Sequence, residues 1–274
     1  MIALCLPRSI CYMVAKFLAL LNYRLSVKDK EAVKYNLSAI IKDESRIEGC
    51  AREVFVNFAY YLVDFFRFSR INHDFIKKYV KVSGLEHLQW AYSQKMPIIA
   101  LTAHLGNYEL AGAVTSLLGY PVAAVALPHK DQRTNNFFNS NRHRVGMKVI
   151  ATGSRVKGCL SALKDNFVLA LLADRDFSHS GIKMELFSRF ASLPRGIAFF
   201  SKKSGACIIP GFLVRVDKYN YHLSFEEPMC LARKENIPEE EIMRRYIPVL
   251  EKYISNYPEQ WYMFEKYWIP ENSQ

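Results

Sequence analysis

The stretch Ile98-Ile99-Ala100-Leu101-Thr102-Ala103-His104-Leu105-Gly106-Asn107-Tyr108-Glu109-Leu110-Ala111-Gly112 constrains the chain most. Its apolar start, just after Pro97, reads as a buried strand. Its end continues through Ala113, Val114, Leu117 and Leu118 as a helix that stops at Gly119. Between them a polar turn carries an imidazole and a carboxylate five positions apart. On one continuous helix such residues point roughly 140° away from each other. His104 and Glu109 therefore meet only if the chain bends between them. Gly106 permits the bend, and Asn107 is a good N-cap. Glu109 then falls in the first helical turn, where the helix dipole favours a carboxylate. A carboxylate on one ring nitrogen fixes the tautomer and leaves the other nitrogen free as a base. The same residues also read as a capped helix preceded by an ordinary histidine, and spacing alone does not choose between the two.

Around this stretch, strand-like and helix-like segments alternate. Val80 to Val82, Pro121 to Leu127, Met147 to Ala151 and Phe167 to Ala173 read as strands. Gly84 to Gln94, Asp131 to Arg144 and Ser154 to Asp165 read as helices. That alternation implies an α/β fold, a mostly parallel sheet flanked by helices. Sites in such sheets lie at the carboxyl ends of strands, where both His104 and Asp174 fall. Arg175 to Leu193 reads as a long polar loop with an apolar island at Met184 to Phe187, substrate-facing in preference to a merely irregular edge segment. Pro194 to Ser204 reads as a helix, and Cys207 to Val216 and Tyr221 to Phe225 as strands. A last helix begins at Pro238 and is expected to kink at Pro248. Upstream, Glu48 to Phe68 carries a wide aromatic stripe at helical spacing, the mark of a core-packing helix, with a lipid-facing role for part of it as the alternative. Residues 23–274 form one domain preceded by an apolar segment, 1–22.

Composition narrows the function classes. With 274 residues, 50% of them hydrophobic and 23% charged, the chain can bury a substantial core. A formal charge of +11 suits an anionic membrane surface or a phosphorylated substrate. Nucleic acid is disfavoured as a partner, because zinc-finger spacing, an RNP-like stretch and a long basic run are all missing. The six cysteines show no C-x-x-C pair, and most of them have apolar neighbours and read as small core residues in a reduced, cytosolic setting. His104 and Glu109 lack a third ligand, so no metal is expected. A serine lipid hydrolase would need G-x-S-x-G, which is absent. Ile2 to Leu21 is interrupted by Pro7, Arg8 and Lys16, so its clean run is shorter than the ~20 residues a spanning helix needs. It reads as an interfacial helix through Leu4, Leu6, Ile10, Met13, Phe17 and Leu20, or else as a helix folded back onto the core.

His104-Leu105-Gly106-Asn107-Tyr108-Glu109 resembles the His-x4-Asp/Glu motif of glycerolipid acyltransferases, and in particular the lauroyl/myristoyl branch that acylates lipid A precursors. Asn36-Leu37, the Arg142 segment, Asp174 and Pro258-Glu259-Gln260-Trp261 follow in that family's order, so the likeness runs from about Asn36 to Trp268. The resemblance implies transfer of a fatty acyl chain from an acyl-carrier protein or coenzyme A thioester to a hydroxyl of a lipid A-like or other glycolipid, without a cofactor. His104 would be the general base and Glu109 its orienter. Asn107, Arg142, Asp174 and Arg175 would bind substrate, with Arg142 on a phosphate and Arg144 as its alternative. Asp174 would position Arg142 or a headgroup; Arg175 stands where the family has glutamine. Members usually begin with a spanning helix, which is absent or reduced here. Peripheral attachment to the cytosolic membrane face is the resulting expectation. A lysophospholipid acyltransferase and a non-catalytic lipid-binding scaffold are the alternatives.

Overall fold

The computed structural model describes residues 2–126, 131–150, 155–177, 179–230 and 237–270. Helices come first: α1 (Ile2–Cys5), α2 (Arg8–Leu25), α3 (Val27–Leu37), α4 (Ile47–Phe66) and α5 (His73–Tyr79). Alternation follows with β1 (Val80–Ser83), α6 (Leu85–Ser93), β2 (Ile98–Thr102), α7 (Tyr108–Leu117), β3 (Val122–Val125), α8 (Gln132–Arg144), β4 (Lys148–Ile150), α9 (Arg155–Lys164) and β5 (Val168–Leu172). The chain closes with β6 (Ile182–Leu186), β7 (Arg189–Leu193), α10 (Gly196–Ser204), β8 (Cys207–Arg215), β9 (Tyr221–Phe225) and α11 (Glu239–Asn256).

Seven strands form one sheet in the order β1-β9-β8-β2-β5-β3-β4. Every neighbouring pair is parallel except β8 and β9, so the sheet is mixed. Strand β2 lies near its centre, between β8 and β5, which is where an unbroken apolar run belongs. Its register with β5 runs from Ile98 opposite Val168 to Thr102 opposite Leu172. The two strands end level, and Ala173 N–H extends the ladder to Thr102 O at 2.8 Å. That register brings His104 and Asp174, each two residues past its strand, side by side. Strand β8 outruns β2, and its far half flanks the polar turn while pairing with β9 from Gly211 opposite Phe225 to Arg215 opposite Tyr221.

On α2, Cys11, Tyr12, Ala15, Ala19 and Tyr23 are buried at helical spacing. This face packs on α4, so the N-terminal segment is folded onto the domain. The opposite face is apolar yet exposed: Met13 65%, Phe17 68% and Leu25 72%. Helices α2 and α3 meet at 92°, and among the described residues no single helix is long and apolar enough to cross a membrane.

Two sequence expectations need correction. The expected loop at 175–193 contains an antiparallel hairpin, β6–β7, whose turn residues Phe187 and Ser188 have φ of 52° and 58°. Cys207 and Cys230 form a disulfide, brought together by pairing of Ile208 with Met229. Cys11 and Cys159 are small buried residues, as expected. Helix α11 carries Pro248 in its interior and continues past it to Asn256.

Candidate active site

The polar turn is pinned from two sides. Asn107 N–H donates to Leu213 O at 2.8 Å, and Gly106 N–H donates to Gln260 O at 2.9 Å. Gly106 has φ +62°, and a Cβ there would lie 2.1 Å from Leu213 O, so the bend requires glycine. His104 O accepts from Tyr262 N–H at 2.8 Å, which joins the Pro258–Trp261 ending to the turn. The Asn107 side chain caps α7, its Oδ1 accepting from Leu110 N–H at 3.0 Å. As the first N–H groups of the helix, those of Tyr108 and Glu109 have no intrahelical acceptor.

The carboxylate on the imidazole is Asp174, not Glu109. Asp174 Oδ1 lies 2.9 Å from His104 Nδ1. Its Oδ2 accepts from His104 N–H at 2.9 Å and from the Trp261 indole N–H at 3.0 Å. A carboxylate only accepts, so Nδ1 carries the proton and Nε2 is left as the base. Nε2 has no hydrogen-bond partner among the described residues, and the imidazole is 16% exposed. Asp174 is fully buried. Burial pushes its carboxyl up, but the imidazole and the hydrogen bonds from His104 and Trp261 outweigh this and hold it below its ordinary range.

Glu109 turns instead toward α8, where Arg142 grips it through Nε at 3.0 Å and Nη2 at 2.5 Å. Burial lowers the Arg142 pKa, but the bond to Glu109 more than offsets this and raises it above its ordinary value. The fork expected to hold a phosphate is thus engaged by a carboxylate of the chain itself. Asn107 is 2% exposed and spends its amide on the α7 cap and on Asp64, 3.3 Å away. Of the four residues expected to bind substrate, only Arg175 stays accessible, 28% exposed. It pairs with Glu265 at 2.5 Å and its guanidinium lies 4.5 Å from the ring centre of Phe177. Phe177 and Tyr108 both set ring edges against His104, at 5.9 and 5.4 Å between centroids.

Two features escape the sequence reading. Asp64 has a weak signal: it is the lone charge in the aromatic run Val54–Phe66, and an acid there flags a buried polar group. The Trp261 bond to Asp174 has no local signal at all. Away from His104 and Asp174, α2 and α4 line an apolar groove of about 520 Å³, with Val14, Leu18, Phe55, Phe58, Leu62 and Phe66 in its wall.

The sequence is similar to the phosphatidylinositol mannoside acyltransferase of Mycolicibacterium smegmatis, 22% identical over 255 residues that cover 89% of this chain and 81% of that protein. It is also similar to the lipid A biosynthesis palmitoleoyltransferase of Escherichia coli K12, 26% identical over 186 residues, 62% of this chain and 58% of that one. A looser likeness links it to the crystal structure of the 1-acyl-sn-glycerophosphate acyltransferase PlsC from Thermotoga maritima, with TM-score 0.45 and 13% identity over 93% of this chain and 99% of the other. The model of the bacterial lipid A biosynthesis acyltransferase family matches residues 1–269, and the chain belongs to that family.

Proposed function

We propose that this protein transfers a fatty acyl chain from an acyl thioester to a hydroxyl of a glycolipid, with His104 as general base and Asp174 as its orienter. The observation that carries the reading is the 2.9 Å contact between His104 Nδ1 and Asp174, which leaves Nε2 as the free basic nitrogen. Nε2 takes the acceptor hydroxyl proton as that oxygen attacks the thioester carbonyl. The N–H groups of Tyr108 and Glu109, aligned with the helix dipole, stabilise the resulting oxyanion. Collapse of the tetrahedral species breaks the carbon–sulfur bond, and the departing thiolate takes the proton from the imidazolium. Coenzyme A and acyl-carrier protein are both suitable donors. Glu109 and Arg142 brace α7 against α8 beneath the site, while Arg175 is the cation that remains for an anionic substrate group.

One relative is named for phosphatidylinositol mannoside and the other for lipid A biosynthesis, both glycolipids, and that shared class supports a glycolipid acceptor here. The apolar outer face of α2 and the groove beside it suit peripheral seating on a lipid surface. The test is thioester turnover by purified protein with glycolipid vesicles, followed by mass spectrometry of the acceptor. Wild type adds one acyl chain. His104→Ala and Asp174→Asn each lower kcat about 10²–10⁴-fold with folding intact, and their losses do not add because they act as a unit. Wild-type rates in either variant would remove the mechanism.

A further inference from the structure

Asp64 on α4 is 2% exposed and accepts hydrogen bonds from five side chains on four other segments. Arg8 Nη2 at 3.3 Å and the Tyr12 hydroxyl reach it from α2. Arg215 Nη2 comes from β8 at 2.8 Å, and the Tyr221 hydroxyl from β9. Burial, and then the Asp64 charge, hold both phenols above their ordinary range, so they stay protonated as donors. The fifth donor is Asn107 Nδ2, at 3.3 Å, and it alone belongs to the turn that carries His104.

The chemistry of that contact is directional. A carboxylate cannot donate, so Asp64 holds the Asn107 amide with its NH2 toward α4. The amide oxygen is thereby aimed at Leu110 N–H, the bond that caps α7. Flipping the amide would set its oxygen against the carboxylate and its NH2 against a backbone N–H, two repulsive contacts in a buried place.

We infer that Asp64 is a positioning residue for acyl transfer: by fixing the Asn107 amide it holds the first turn of α7 in register with His104. The inference rests on the acyl-transfer reading above. Its substance is separable from a general clamp, because Arg8, Tyr12, Arg215 and Tyr221 tie Asp64 to scaffold elements and only Asn107 ties it to the site.

A partner swap tests it. Asn107→Asp keeps an oxygen for Leu110 N–H but sets one carboxylate against another. Asp64→Asn removes the carboxylate. The double variant keeps one negative charge in the cluster but moves it to the turn: the amide now on α4 donates to that carboxylate, and Arg215, which in wild type shares Asp64 Oδ2 with Asn107, turns to the carboxylate as well. Tyr221→Phe is the control, since it deletes a bond to Asp64 that does not involve Asn107. kcat and KM for thioester and for glycolipid vesicles are measured on the full chain together with Tm. Each single variant is expected to lose about 10-fold or more in kcat with KM within about 3-fold, as misplacement of a catalytic group does. The double variant is expected to regain kcat to within about 3-fold of wild type, while Tyr221→Phe lowers Tm and keeps kcat. If Asp64→Asn fails to fold, comparison of Asn107→Asp with Tyr221→Phe still decides, since the first is expected to lose kcat and the second only Tm. A folded double variant no faster than Asn107→Asp, or an Asn107→Asp protein with wild-type kcat, would overturn the inference. So would a Tyr221→Phe loss in kcat as large as that of Asn107→Asp. An active wild type with an inactive His104→Ala beside any of these results leaves the acyl-transfer reading standing. A wild-type protein without turnover removes both.

Discussion

His104 and Glu109 are joined by one local motif, yet the carboxylate that meets the imidazole comes from 70 residues away. The reason is the level ending of two parallel strands, a tertiary fact with no trace in the spacing of the motif. Local chemistry does appear in the sequence: the bend at Gly106, the cap at Asn107 and the acid in the first turn are all where their residue types place them. What it leaves open is which carboxylate faces which cation, because α8 and β5 each deliver a partner to the same neighbourhood. The exchange has a pH signature. The Asp174 carboxyl is held below its ordinary range in the folded chain, so its pairing contributes stability above the unfolded pKa, lost as pH falls through the folded value. Urea unfolding between about pH 6 and pH 3 should show a falling acid limb in wild type. In Asp174→Asn that limb is expected to be shallower, and an identical slope would remove the pairing.

Elements whose identity depends on a long apolar run are the easiest to read. Strands β2 and β5 announce themselves by runs of Ile, Leu, Ala and Val, with Thr102 at the end of β2 the one polar residue, and buried strands leave little alternative. The β6–β7 hairpin escapes because its signal lies in the turn. Two-residue hairpin turns with both φ positive favour Asn-Gly or Asp-Gly, whereas this one is Phe187-Ser188. Phe187 explains the choice: its ring packs on Trp268 at 6.3 Å, and its N–H donates to Glu251 at 2.7 Å, so packing outweighs turn propensity. Ser188 is exposed with φ +58°, and its side chain has no comparable anchor in the core. Ser188→Gly is therefore expected to stabilise the fold by roughly 0.5–1 kcal/mol, since glycine adopts this conformation without steric cost. Equilibrium denaturation measures it, and a loss of stability would show that the serine hydroxyl or the unfolded-state entropy matters more. The disulfide between Cys207 and Cys230 escapes for a different reason: 23 residues separate them, and only the bridge of Ile208 with Met229 aligns them.

At the scale of the whole molecule, the N-terminal segment resolves two expectations into one arrangement. It folds onto α4 through one face and leaves an apolar stripe outside, so packing against the core and contact with lipid are compatible. Ile10, Met13, Val14, Phe17, Leu18 and Leu21 are all exposed along α2, while Lys16 and Arg24 flank them and the chain carries a net +11. An exposed stripe of this kind beside basic residues suits the boundary between headgroups and acyl chains. Full burial of one Phe or Met side chain is worth about 1.5–3 kcal/mol, and each Lys or Arg near an anionic surface adds near ~1 kcal/mol. The two terms separate by salt, because screening weakens only the second. Met13→Ser/Phe17→Ser replaces two exposed side chains and leaves the buried face of α2 untouched, so the fold is expected to persist. Sedimentation with anionic vesicles should show affinity at least about 10-fold weaker for this variant, each tenfold being about 1.4 kcal/mol. Raising salt should weaken wild type only in part and release the variant almost fully. A folded variant that sediments as wild type does, at low and at high salt, would place the membrane contact elsewhere on the molecule.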